Sequence, residues 1–195
     1  MKKRFACFCV LSCLLLAGLA AWLWTPDLPL AELEARYLQP DGEYIEVLGA
    51  RLHVRDTGPE NAPAVLMLHG LGSSLHTWED WAAELDGLDG LDGGYRVIRL
   101  DLPGHGFTGA DPSGDYSMER LLSLLTGLLD QRGLGQVVVV GNSMGGRAAW
   151  QLAAAFPERL WALVLVSPDG FASPGFEYGQ QAEIPAMLDL MRYFL

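Results

Sequence analysis

Val137-Val-Val-Val-Gly-Asn-Ser-Met-Gly-Gly-Arg-Ala-Ala-Trp150 is the stretch on which the fold turns. Four consecutive valines read as a strand buried on both faces, and residues 144–156 read as a helix. Between them, Gly141-Asn142-Ser143-Met144-Gly145 fits the pattern G-x-S-x-G. Its glycines let the chain reverse without a Cβ clash, and Gly146 extends that freedom. Strand, sharp turn and helix in this order form the context of a nucleophile elbow. The turn lifts the serine oxygen above the sheet edge, at a helix N-terminus where free N–H groups and the dipole favour negative charge. Without chemistry, the same residues would be a glycine-rich turn with a capping serine.

Working outward, the alternation repeats. Residues 64–68, 96–100 and 163–166 are further apolar runs of strand length, and helical patterns lie at 77–85 and 118–131. Residues 43–48 and 51–55 alternate about Gly49-Ala50, as an antiparallel hairpin would. Strands buried on both faces and separated by helices specify a parallel sheet wrapped by helices. The expected class is therefore α/β: a mostly parallel sheet, helices on both faces, and an N-terminal antiparallel hairpin, preceded by one transmembrane helix. Gly87-Leu-Asp-Gly-Leu-Asp-Gly-Gly94 is a short tandem duplication. Asp86, Asp89 and Asp92 match no calcium-loop spacing, so it reads as a lengthened surface loop.

A second motif sits at an equivalent place. His69-Gly70-Leu71-Gly72 directly follows the strand at 64–68. A backbone N–H from this loop and the one following Ser143 would form an oxyanion hole; these are assigned to Leu71 and Met144. Such a pair would stabilise the tetrahedral intermediate of acyl transfer.

Residues 43–170 resemble the α/β-hydrolase superfamily, in its lid-containing serine hydrolase branch. Besides the two motifs above, Asp101-Leu-Pro-Gly-His-Gly-Phe-Thr108 is similar to the family's loop after strand 4. Arg159-Leu-Trp-Ala-Leu-Val-Leu-Val-Ser-Pro-Asp169 is similar to its strand 6. The resemblance implies that the Asp101 loop braces the oxyanion loop, with His69, Gly70 and Asp101 in supporting roles and His105 structural. It also implies a small-molecule substrate. Relatives that open epoxides or remove halides carry Asp at the elbow, whereas this chain has Ser143, so attack on a carbonyl is the natural reaction. A carboxylic ester is the first expectation, and carbon–carbon cleavage of a diketone by the same serine is the alternative. No cofactor or metal is expected.

The chain has 195 residues and a formal charge of -11. Beyond Lys2, Lys3 and Arg4, 10 of the 13 basic residues remain against 24 acidic ones, a balance of -14 that disfavours nucleic acid. Cys7, Cys9 and Cys13 all lie near the N-terminus, so neither a disulfide framework nor a thiolate metal site is expected in the folded part. Lys2-Lys3-Arg4 precedes an uncharged run from Phe5 to Trp24 that would span about 30 Å as a helix, a bilayer's hydrocarbon thickness. This pattern predicts an anchor in a bacterial inner membrane with the domain on the periplasmic side. A cleaved signal peptide ending near Gly18-Leu19-Ala20, which would leave a secreted or periplasmic domain, is the alternative. The expected organisation is anchor or signal at 1–24, linker at 25–40, the N-terminal part of the hydrolase domain at 41–180, and the start of a lid at 181–195.

A serine needs a base. In the superfamily the order along the chain is Ser, acid, His. Here His53, His69, His76 and His105 all precede Ser143. Asp169, just past the sixth strand, stands where a minority of the family carries its acid; as a plain turn residue it would need no such role. His69 could replace the missing base only if its ring were free of the loop that carries it. The sequence is thus expected to be cut short, and a non-catalytic, membrane-tethered remnant is the competing hypothesis.

Overall fold

The structure, a computed structural model, describes residues 2–86 and 94–170, with the side chains of residues 2–9 and 20 left out. Most of the duplicated loop at 87–94 and all of the expected lid segment at 181–195 lie outside the described residues. The chain divides into two compact units, Met1–Gln39 and Pro40–Leu195.

The first unit contains helix α1 (Lys2–Leu23) and helix α2 (Leu30–Tyr37). Helix α2 lies within the segment expected to be a linker, and an Arg36–Glu32 ion pair of 2.6 Å spans one of its turns. The expected transmembrane helix is not supported: among the described residues, no helix is long and apolar enough to cross a membrane.

The second unit is built on six strands: β1 (Gly42–Val47), β2 (Ala50–Thr57), β3 (Ala64–Leu68), β4 (Arg96–Leu100), β5 (Val137–Asn142) and β6 (Leu160–Val166). Their spatial order is β1-β2-β4-β3-β5-β6. β1 pairs with β2 and β2 with β4 antiparallel, while β4, β3, β5 and β6 run parallel. The hairpin is therefore the sheet's antiparallel edge, as its alternation specified.

Strand period divides the side chains between two cores. Leu66, Leu68, Ile98, Leu100, Val137 and Val139 pack with Leu122, Leu125, Leu128 and Leu129 of α4 (Met118–Gln131) and with Ala148, Ala149 and Leu152 of α5 (Ser143–Ala155). Val65, Met67, Val97 and Val140 turn the other way, onto Trp78 and Ala82. Those two belong to a 3₁₀ turn (Leu75–Trp78) and helix α3 (Glu79–Asp86). The single helix expected over 77–85 is thus a 3₁₀ turn running into a helix. In α4 the buried leucines recur at helical spacing, and the Ser117 hydroxyl accepts from the Arg120 N–H at 3.2 Å to cap its start.

Strand β6 corrects one expectation. It begins at Leu160, earlier than residue 163, and it is not buried on both faces: Trp161, Leu163 and Val164 are exposed. The physical reason is position. Among the described residues β6 ends the sheet order, with a neighbour on one side only.

Candidate active site

β3 and β5 are parallel neighbours in a register that sets Leu68 opposite Gly141. The loops that follow them leave the same rim, and glycines bring them into contact. A Cβ on Gly145 would lie 2.3 Å from the Leu68 carbonyl oxygen and 2.4 Å from that of His69. A Cβ on Gly70 would lie 2.9 Å from Asn142 Oδ1 and 3.3 Å from the Ser143 Cβ. No side chain fits at Gly145, and one at Gly70 would press on the side chains of Asn142 and Ser143. Ser143 itself has φ +50° at the head of α5, a left-handed backbone that costs a non-glycine residue roughly 1–3 kcal/mol. That strain is the backbone signature of a strand-to-helix elbow that holds its serine up from the sheet. Asn142 steadies the turn from the other side, donating from Nδ2 to the Val166 carbonyl of β6 at 3.0 Å.

Met144 lies in the first turn of α5, where amides have no partner within the helix. Among the described residues, no acceptor takes its N–H or that of Leu71. Leu71 and Met144 also line one cavity of about 250 Å³, together with Leu102, Tyr116, Met118 and Leu121. The cavity is mainly apolar, with His105 and Arg147 at its wall.

The loop at 69–72 is held from below by residues 101 and 102. The Leu102 N–H donates to His69 Nε2 at 2.9 Å, so Nε2 carries the lone pair and the proton of the neutral ring sits on Nδ1. That Nδ1–H donates to the Gly70 carbonyl at 2.8 Å. Burial keeps the His69 pKa below the usual 6.5, even though the Gly70 carbonyl and Asp101 pull it upward. Asp101 is buried too. Its Oδ1 accepts the Leu75 N–H at 2.7 Å, and its Oδ2 accepts from Phe107 N–H at 2.8 Å and from His53 Nδ1 at 2.7 Å. Burial alone would raise the Asp101 pKa, but the donors from His53, Leu75 and Phe107 outweigh it and the net direction is down.

The profile of the family described as alpha/beta hydrolase fold matches residues 63–193. The chain belongs to that family. Among its relatives, a putative 2-succinyl-6-hydroxy-2,4-cyclohexadiene-1-carboxylate synthase from Bacillus subtilis (strain 168) is 41% identical over 120 residues, covering 61% of this chain and 41% of that protein. A 2-hydroxy-6-oxononadienedioate/2-hydroxy-6-oxononatrienedioate hydrolase 2 from Pseudomonas putida is 41% identical over 130 residues, covering 65% and 44%. A solved hydrolase from Pseudomonas aeruginosa PA01 superposes with a TM-score of 0.61 at 28% identity, covering 69% of this chain and 49% of that one. The chain spans less than half the length of each of these three proteins.

Within this α/β hydrolase, the structure brings Ser143, Met144, Gly70 and Leu71 to one rim, with His69 and Asp101 beneath them. His69 is fully committed: both ring nitrogens are engaged in the loop's own support, which leaves it no lone pair for Ser143. Among the described residues, no side chain hydrogen-bonds the Ser143 hydroxyl. Asp169 touches the elbow through its backbone, its N–H donating to the Ser143 carbonyl at 3.1 Å. Its carboxylate lies 3.4 Å from Arg147 Nε, an ion pair without hydrogen-bond alignment. His105 Nδ1 donates to the Pro103 carbonyl of its own loop at 3.1 Å, which leaves the lone pair on Nε2, and among the described residues no hydrogen bond joins that ring to Ser143. Sequence reasoning missed His53. The available signal was a histidine between Leu52 and Val54 in a strand-like run, and the structure buries all three.

Proposed function

We propose that the chain carries the nucleophile and the oxyanion-binding elements of a serine hydrolase that attacks carbonyl compounds, first among them carboxylic esters. One observation supports this most: Ser143, at φ +50° on the rim, with Gly70 of the 69–72 loop against it. In this reading the Ser143 oxygen attacks the carbonyl carbon as its proton passes to a general base, which then hands it to the leaving alkoxide. The oxygen of the resulting tetrahedral intermediate is held by the Leu71 and Met144 amides, each contributing roughly 3 kcal/mol to the transition state. Collapse expels the alcohol and leaves an acyl-enzyme that water then releases. The apolar cavity beside the two amides suits an uncharged acyl or alkoxy group. His69 does not serve as the general base, because both its ring nitrogens are engaged within its own loop. Asp169 is the candidate acid, through its place beside the elbow.

Carbon–carbon bond hydrolysis is the second reading, favoured by the relative from Pseudomonas putida named above as a 2-hydroxy-6-oxononadienedioate hydrolase. It uses the same serine and the same amides, on a ketone.

The test is covalent labelling with an alkyl fluorophosphonate, mapped by mass spectrometry to the peptide containing Ser143. It is run with and without added imidazole, which supplies a base from solution. Labelling at Ser143 that disappears in Ser143→Ala is expected. A folded chain whose Ser143 stays unmodified under both conditions would overturn the proposal. Turnover of nitrophenyl esters against that of a vinylogous 1,5-diketone then separates the two reactions.

A further inference from the structure

We propose that His53 is a positioning residue for the oxyanion loop, acting through Asp101; this rests on the serine hydrolase reading of Ser143. The segment from His69 to Leu75 is gripped at both ends by two consecutive residues. At its entry the Leu102 N–H holds His69, and His69 holds the Gly70 carbonyl. At its exit Asp101 Oδ1 takes the Leu75 N–H. A carboxylate fixed at one oxygen alone can pivot about its Cβ–Cγ bond. Fixing the second oxygen removes that freedom, and Oδ2 receives two donors: the Phe107 N–H and the His53 ring.

The backbone around this pair is equally determined. The Asp101 N–H donates to the His53 carbonyl at 3.0 Å. The His53 N–H donates to Thr108 Oγ1 at 2.8 Å, and that hydroxyl donates to the Asp101 carbonyl at 2.7 Å. His53 is thus held in place by the β2–β4 junction, and its ring transmits that placement to the carboxylate. The aromatic rings of Tyr44 and Phe107 pack at 5.6 and 5.1 Å from the His53 ring and limit its rotation.

Packing does not call for an imidazole here. His53 Nε2 is buried without a partner among the described residues. A buried polar atom left so costs roughly 1–3 kcal/mol, which a leucine in the same space would not incur. What the imidazole adds is the Nδ1 donor, and that donor meets the one carboxylate that grips the oxyanion loop. Leu71, whose amide would bind the oxyanion, sits between the two gripped ends.

The experiment uses the full chain with H53L and H53N. An asparagine places its amide nitrogen the same number of bonds from Cβ as Nδ1 and can donate to Asp101 in its stead; leucine cannot. Amide hydrogen exchange at Leu75 and Phe107 is followed by NMR, and Ser143 phosphonylation is timed alongside. In H53L, exchange at Leu75 is expected to rise roughly tenfold or more, the effect of losing one buried hydrogen bond to a charged group. Labelling of Ser143 is expected to slow by a similar factor, with amides inside β3 and β5 keeping their protection. H53N is expected to restore both to within about threefold of wild type. Unchanged exchange at Leu75 in H53L, or an H53N as impaired as H53L, would overturn the proposal. If H53L gives no folded protein, H53Q takes its place, its amide lying one methylene too far out. Should wild-type Ser143 fail to label at all, the hydrolase reading fails, while the exchange comparison still decides whether His53 braces the loop.

Discussion

The rim formed by β3 and β5 and the edge formed by β6 belong to one sheet, yet they are specified in different ways. At the rim, glycines admit backbone where no side chain fits, and buried polar atoms of His69 and Asp101 meet partners. Along β6, the pairing with β5 fixes the register, while Trp161 at 73%, Leu163 at 37% and Val164 at 39% exposure have little packed against them. The rim's geometry depends on backbone contact and directed bonds, so its shape is set locally. The edge depends on area removed from water, and there little is removed. Substitutions should therefore be felt sharply at the first place and weakly at the second.

The largest effect is expected from Gly145→Val. Its Cβ would meet two backbone carbonyl oxygens at 2.3 and 2.4 Å, and neither can move without shifting β3 or α5. Overpacking against backbone is expected to cost about 3 kcal/mol or more, read as a lower urea midpoint or as insoluble protein. A loss under about 1 kcal/mol would show that the two loops do not touch, and the comparison would collapse.

His69→Leu comes next. It leaves the buried Leu102 N–H without its partner and takes one of two donors from the Gly70 carbonyl, which keeps the Ser73 N–H at 3.3 Å. One such group, together with the lost donor on Gly70, gives an expected loss of about 1–3 kcal/mol in chemical denaturation. A result near zero would mean that the loop is held by packing.

Acid should separate the two regions without any substitution, because the rim titrates and the edge does not. His69 has its pKa held below 6.5 by burial, so the unfolded chain takes up the proton first. Its contribution to stability is complete above about 6.5 and declines as the pH falls below that value. Asp101 is lowered below 3.8 by its donors despite burial. Asp111 is lowered to about 2, chiefly by Arg120 and then by Ser113. Their contributions are complete above the unfolded carboxylate value and disappear as the pH falls through the lower folded values. Urea midpoints measured from pH 7 downward are expected to fall in two stages, and His69→Leu should remove the first. A midpoint that rose on acidification from neutrality would contradict the assigned direction for His69.

Most of the fold was legible because its signals are local. Four valines before Gly141, the alternation about Gly49, and leucine spacing in α4 each specify an element without reference to the rest. The rim was legible as well, since G-x-S-x-G and His-Gly-Leu-Gly both follow strands that must be neighbours for the motifs to meet. What could not be read was the partner of Asp101. His53 lies 48 residues away in the chain and reaches it only because β2 inserts beside β4, a pairing no periodicity announces. The burial of β6 was misjudged for a related reason. A continuous apolar run says that a strand can be covered on both faces, and the cover itself comes from elsewhere.

The smallest predicted change bears on that last point. Trp161→Lys replaces a ring that is 73% exposed and sits on the strand that ends the sheet order among the described residues. Little apolar area leaves a buried environment, so stability should change by less than about 0.5 kcal/mol. Self-association should change far more. An apolar side chain on an uncovered strand edge invites pairing with another chain, and a lysine there opposes it by charge and by solvation. Light scattering at matched concentration is expected to show less aggregate for the variant, with an unchanged urea midpoint. A destabilisation of about 2 kcal/mol instead would place Trp161 in a packed environment, and β6 would then be held as the rim is held, by contacts fixed within the chain.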